Sequence, residues 1–173
     1  MKHRIKFAMI FLLAATFLPS HRTTAFADDG TERPGVSMAV AATKLADLLS
    51  ADLKKKMMYS YDSPERLNWH FIPRDRNGIV LWDLEGDSRK AADELVKSGL
   101  SAAGYAKTLQ VRSLEEVLYL FEEGEEEYRR NRRNPHKYHI TVFGTPGPTG
   151  KWGWRIEGHH LSLNFMIQDG VIV

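Results

Sequence analysis

The apolar positions follow a helical rhythm through most of the chain and a two-residue rhythm in its last third. Leu45, Leu48, Leu49 and Leu53 recur on one helical face with Lys44, Asp47 and Lys54 away from it, and Ser37 is placed to cap that helix. It frays through Lys54, Lys55 and Lys56, whose charges suit a helix carboxyl end. After a turn at Asp62, Ser63 and Pro64, Leu67, Trp69 and Phe71 alternate with Asn68 and His70, which predicts a short strand cut off at Pro73. A second helix is predicted over residues 88–98, with Asp87 as its cap, Ala91, Ala92, Leu95 and Val96 inward, and Gly99 as its stop. A third opens on a capping box of Ser113 and Glu116, turns Leu114, Val117, Leu118 and Phe121 inward, and closes at Gly124.

The last third reads as strands. Tyr138, Ile140 and Val142 alternate with His139 and Thr141; a Gly/Pro/Thr loop over residues 144–150 follows, and then the runs 152–157 and 160–168. A two-residue loop of Gly158 and His159 pairs Glu157 with His160, Ile156 with Leu161, Arg155 with Ser162, Trp154 with Leu163 and Trp152 with Phe165, so that every pair agrees in polarity. Asp169 and Gly170 form a further hairpin turn, after which Val171, Ile172 and Val173 begin a returning strand that then stops. Helices first and hairpins afterwards define an α+β fold, amino-terminal helices packed on an antiparallel carboxyl-terminal sheet, with the expectation that the fold is incomplete at its carboxyl end.

Charge changes the picture at both ends of this pattern. Lys2, His3, Arg4 and Lys6 precede an uncharged apolar run over residues 7–18, 12 residues long, and small side chains follow at Ala25 and Ala27. That is the layout of a cleaved signal peptide, residues 1–27, on an exported protein, periplasmic or extracellular; the run falls short of the roughly 20 residues that span a bilayer. No stable membrane anchor is expected after cleavage. Residues 28–36 read as a flexible lead-in and 37–173 as a single domain. Removing Lys2, Arg4, Lys6 and Arg22 leaves 20 basic against 22 acidic residues, a net charge of −2 in place of +2. With the acidic block at Glu122 to Glu127 cancelling the basic one at Arg129 to Arg133, and no aromatic platform interleaved, a nucleic-acid partner is not expected. The absence of cysteine excludes disulfides, thiolate metal sites and a cysteine nucleophile.

Candidate chemistry lies on the polar face of the 152–168 hairpin. One face is core: Trp152, Trp154, Ile156, Leu161, Leu163 and Phe165. The other carries Arg155, Glu157, His160, Ser162 and Asn164, either a solvated sheet surface or a pocket floor. In the second case Glu157 and His160 are the candidate catalytic acid and base and Arg155 an anion clamp. His159 and His160 are candidate ligands for a divalent metal, as are His136 and His139, although no closed ligand set is present and adjacent strand histidines point to opposite faces unless a turn redirects one. Two classes of function follow: an exported enzyme, with hydrolysis as the leading chemistry, or a non-catalytic secreted protein binding a small-molecule or polymer ligand.

Asp62-Ser63-Pro64-Glu65-Arg66 leading to Trp69 through Pro73, Ser98-Gly99-Leu100-Ser101 with Gly104 and Tyr105, and above all Phe143 through Pro146 with Trp152 through Phe165 resemble the bacterial domain-of-unknown-function family 3500. The resemblance covers about residues 40–170. It implies a secreted bacterial protein without an assigned activity, and a chain longer than this one with a further histidine-containing segment.

Overall fold

The computed structural model describes residues 33–173. The expected signal segment and residues 28–32 of the lead-in lie outside the described residues.

Pro34 occupies the first turn of α1 (Pro34–Leu48), where its missing N–H leaves no hydrogen bond unmade, so the helix starts within the expected lead-in. Extended backbone at Leu49 and a Ser50 cap, whose hydroxyl accepts from the Leu53 amide at 3.3 Å, break the expected long helix and start α2 (Ala51–Met57). Strand β1 (Met58–Tyr59) follows directly, and β2 (Ile79–Val80) comes after a long loop. In α3 (Gly86–Ser98), Ala91, Ala92, Leu95 and Val96 are buried as their spacing requires, and Gly99 is the carboxyl cap.

The third expected helix is longer and faces the other way. Ser101 caps α4 (Ala102–Phe121) by accepting from the Gly104 amide at 3.1 Å, whereas Ser113 sits mid-helix with its hydroxyl donating to the Gln110 carbonyl. Its buried stripe is Thr108, Arg112, Glu115 and Tyr119, and Leu114, Val117 and Phe121 are exposed. Arg112 explains part of the inversion: its Nε donates to the Pro135 carbonyl at 3.0 Å and its guanidinium lies over the Tyr138 ring. The charged stretch that follows forms α5 (Glu126–Arg132); Arg133 pairs with Glu122 across its two charge blocks, and Arg130 reaches outside the stretch to Glu116 at 3.0 Å.

The sheet is mixed, in the order β1, β3 (His139–Gly144), β4 (Lys151–Gly158), β5 (Leu161–Gln168), β6 (Val171–Ile172). All pairs are antiparallel except β1 with β3, which run parallel through Met58 with Val142 and Tyr59 with Phe143; β2 pairs antiparallel with the same edge of β3 through Ile79 and Ile140. The short Met58–Tyr59 strand leaves α2 in the direction of β3, and a sheet of hairpins alone was therefore too simple an expectation. Met38, Leu45, Ala92 and Leu95 of α1 and α3 bury Trp152, Trp154 and Ile156, and the Trp154 indole stacks on Phe165 at 4.6 Å. Asp169 and Gly170 both have positive φ and form the expected turn into β6.

The β4–β5 hairpin turns one residue later than its composition predicts, which shifts the register of the two strands by two. Glu157 pairs with Ser162, Arg155 with Asn164 and Trp154 with Phe165, and the loop is His159–His160, with His160 at φ 54°. A slip of two keeps every side chain on its expected face. Gly158 stays in the strand because the Tyr138 ring packs flat against it, where any Cβ would collide with the ring, and the Tyr138 hydroxyl donates to the His159 carbonyl at 2.9 Å. Gly158→Ala is expected to cost about 1–3 kcal/mol by this overpacking, measured as a lower denaturation midpoint at unchanged m-value. An unchanged midpoint would show that the ring can retreat.

Candidate active site

The polar face of β4 is fully buried. Arg155 has no exposed surface and Glu157 has 1 %. The loop from Pro64 to Asn77 covers them, beginning with a short 3-10 turn, Pro64–Leu67, capped by Ser63. Arg155 donates to the Glu65 carboxylate at 2.8 Å, to the Glu65 carbonyl at 2.9 Å and to the Asn68 carbonyl at 3.3 Å, and lies 3.1 Å from Glu157. Burial pulls the Glu65 carboxyl up, but hydrogen bonds from Asn68, Asn77 and Arg155 outweigh it and hold the carboxyl below its ordinary value. Arg76 closes the far side with donations to the carbonyls of His70, Ile72 and Gly158 and an ion pair to Glu157 at 3.8 Å.

These demands hold the 67–71 stretch at the surface as a loop. Asn68 and the His70 backbone serve the buried charges, no strand forms, and Trp69 and Phe71 are exposed. His139 lies directly across from Glu157 on β3, and Thr141 across from Arg155. The two ring nitrogens of His139, the Thr141 hydroxyl, Glu157 Oε2 and Arg76 Nε are buried without hydrogen-bond partners. A polar cavity of about 170 Å³ opens beside Glu65, Glu157, His70 and Arg76.

His160 is not across from Glu157, as a turn at Gly158–His159 required; it occupies the turn, exposed, with its ring stacked on Phe71 at 6.3 Å. The turn does redirect the adjacent histidines, whose ring centroids lie 4.2 Å apart. Among the described residues no group of three or more His, Asp or Glu side chains converges on a common metal position.

The carboxylate–imidazole pair that does form joins His159 to Glu115 of α4. Nδ1 of His159 lies 2.5 Å from Glu115 Oε1; the carboxylate is buried and its other oxygen pairs with Arg133 at 3.4 Å. The Arg133 guanidinium also stands 3.1 Å from the same Nδ1 and binds Glu122. A nitrogen cannot donate to one group and accept from the other, and the shorter contact to a carboxylate puts the proton on Nδ1 and the lone pair on Nε2. Nε2 makes no hydrogen bond among the described residues. Burial pushes the imidazole below its ordinary value against the opposing pull of Glu115, so His159 is neutral at pH 7.

His159 and Glu115, with Arg133 and His160, line a cleft of about 460 Å³ whose apolar walls are Val111, Leu114, Val117 and Leu118. His159 was legible as a turn histidine; Glu115 and Arg133 were not. Their trace in the sequence is the polar series Thr108, Arg112, Glu115, Tyr119, which has helical spacing but lies opposite the more conspicuous apolar series.

The family model described as "Protein of unknown function (DUF3500)" matches residues 31–173, and the chain belongs to that family. No curated protein and no solved structure matches it. Among the described residues no helix is long and apolar enough to cross a membrane.

Burial, with the charges of Arg76 and Lys137, pushes His139 down to about 4 from the ordinary 6.5. The unfolded chain therefore takes up this proton near pH 6.5 and the folded chain only near pH 4. The contribution to stability is whole above pH 6.5 and is lost by up to ~3 kcal/mol as the pH falls through this window. Denaturation midpoints between pH 4 and 7 should fall with acid in the parent and fall less in His139→Phe; parallel curves would exclude His139 as the source.

Proposed function

We propose that this chain is an exported hydrolase in which His159 is the general base and Glu115 orients it. The 2.5 Å contact between His159 Nδ1 and Glu115 carries the reading, because it leaves Nε2 as the proton-accepting nitrogen of a neutral imidazole that lines an apolar cleft able to seat a substrate. In hydrolysis Nε2 takes a proton from water as the water oxygen bonds to the substrate carbon. The proton then passes to the leaving group as its bond to that carbon breaks, and the imidazole returns to its neutral form. Arg133 is a positioning residue: it pairs with Glu115 and keeps the carboxylate turned toward the ring. Export rests on the layout of residues 1–27, a basic start, an apolar run and small residues at Ala25 and Ala27.

With aryl esters as probes, His159→Ala should lower kcat/KM by ~10²–10⁴-fold without unfolding the chain. The parent's rate should fall with acid, with a midpoint below 6.5. Glu115→Gln keeps a hydrogen-bond acceptor but removes the charge that raises the imidazole, so it should lower the rate and move that midpoint further down. Rates and profiles unchanged in both variants would remove the pair from the chemistry.

Amino-terminal sequencing of exported material should read from Asp28. A membrane-bound chain still starting at Met1 would contradict export.

A further inference from the structure

The cleft on α4 is not the only space that meets His159 and Glu115. A narrow crevice behind them is shared with Arg74, Arg132 and Lys137, and the same three cations line a wider cleft of about 350 Å³ together with Asp75, Tyr128 and Asn131. The dyad thus stands between an apolar cleft and a cationic one.

The cations of the second cleft are poorly neutralised. Among the described residues, no carboxylate lies within 4.0 Å of the Arg74 or Arg132 guanidinium; Arg132 donates to the Tyr128 hydroxyl at 3.3 Å and Arg74 meets the His70 ring at 2.9 Å. Lys137 pairs with Asp75 at 3.2 Å, but Asp75 is 97 % exposed, and an ion pair with so wet a partner contributes little. Other arginines of this region are spent elsewhere: Arg133 on Glu115 and Glu122, Arg130 on Glu116, Arg129 on the carbonyls of Tyr119 and Gly124. Three cations gathered on one cleft, two of them without a carboxylate partner among the described residues and the third paired only with an exposed one, define a place for an oxyanion.

We infer, on the reading that His159 is the base, that the substrate is an anionic amphiphile. Its apolar group lies against Leu114, Val117 and Leu118, its carboxylate, sulfate or phosphate among Arg74, Arg132 and Lys137, and the reacting bond between them passes His159 Nε2. The apolar end gains by leaving water, the charged end fixes direction, and neither cleft alone would align the bond with the base.

The test is calorimetric titration of the purified chain with decanoate, decyl sulfate and decyl phosphate, each below its micelle concentration, against neutral decyl maltoside and inorganic sulfate. The anionic amphiphiles should bind at least roughly tenfold tighter than either comparison, and the ranking among them identifies the oxyanion. Arg132→Gln with Lys137→Gln should erase that preference and its salt dependence, and Leu114→Asp should weaken all amphiphiles alike. Equal binding of decyl maltoside, or a preference that survives the double variant, would overturn the inference. Binding is read without turnover, so the preference found in a chain inert toward esters would retain the amphiphile site and reject the catalytic reading. Ester hydrolysis lost in His159→Ala but indifferent to charge on the ester would do the reverse.

Discussion

Arg155 stands in the middle of the central hairpin strand with no exposed surface, and a guanidinium there is tolerable only if anions and carbonyls come to it. Glu65 supplies the anion, and the backbone at Glu65 and Asn68 supplies the carbonyls. This one requirement draws the loop of residues 64–77 across the sheet and makes β4 a strand buried on both faces. Arg76 follows onto Glu157, and the aromatic side chains of the same loop are left outside because its backbone is committed to the buried guanidinium groups. Removing one partner of such a network leaves an uncompensated buried charge, so its members are held together by mutual necessity more than by net attraction.

A second consequence runs through Gly158. The Tyr138 ring lies flat on that glycine, and its hydroxyl reaches the carbonyl of the next residue, so the chain cannot turn until His159. The two-residue shift leaves the sheet faces as they were but changes which histidine meets a carboxylate. His160 is swung out to stack on Phe71, while His159 comes up against Glu115. The same inversion of α4 that buries Glu115 puts Leu114 and Val117 outside, and the apolar cleft and the acid–base pair thus have a common cause.

The two polar clusters differ in what they can do. Around Arg155 the guanidinium is tied down by several short hydrogen bonds under a covering loop, while among the described residues Glu157 Oε2 and Arg76 Nε stay without hydrogen-bond partners beside the polar cavity. At His159 one ring nitrogen is fixed and the other is free, beside open clefts of opposite character. A buried ion network pinned by a covering loop specifies a fold, and an imidazole with one committed and one uncommitted nitrogen can move a proton.

Local pattern alone determined the α+β class, the inward residues of α3, the Asp169–Gly170 turn and the core face of Trp152, Trp154 and Ile156, because each depends on spacing or turn chemistry within a few residues. It also singled out Arg155 and Glu157 on the polar face of the hairpin, without deciding between a solvated surface and a pocket floor. What those charges would meet, which face of α4 would be buried, and which histidine would find a carboxylate were decided between residues far apart in the chain: Glu65 with Arg155, Gly158 with Tyr138, Glu115 with His159. Buried polar groups must be satisfied wherever a partner exists, and that demand overrides the apolar stripe of a helix or the alternation of a short strand.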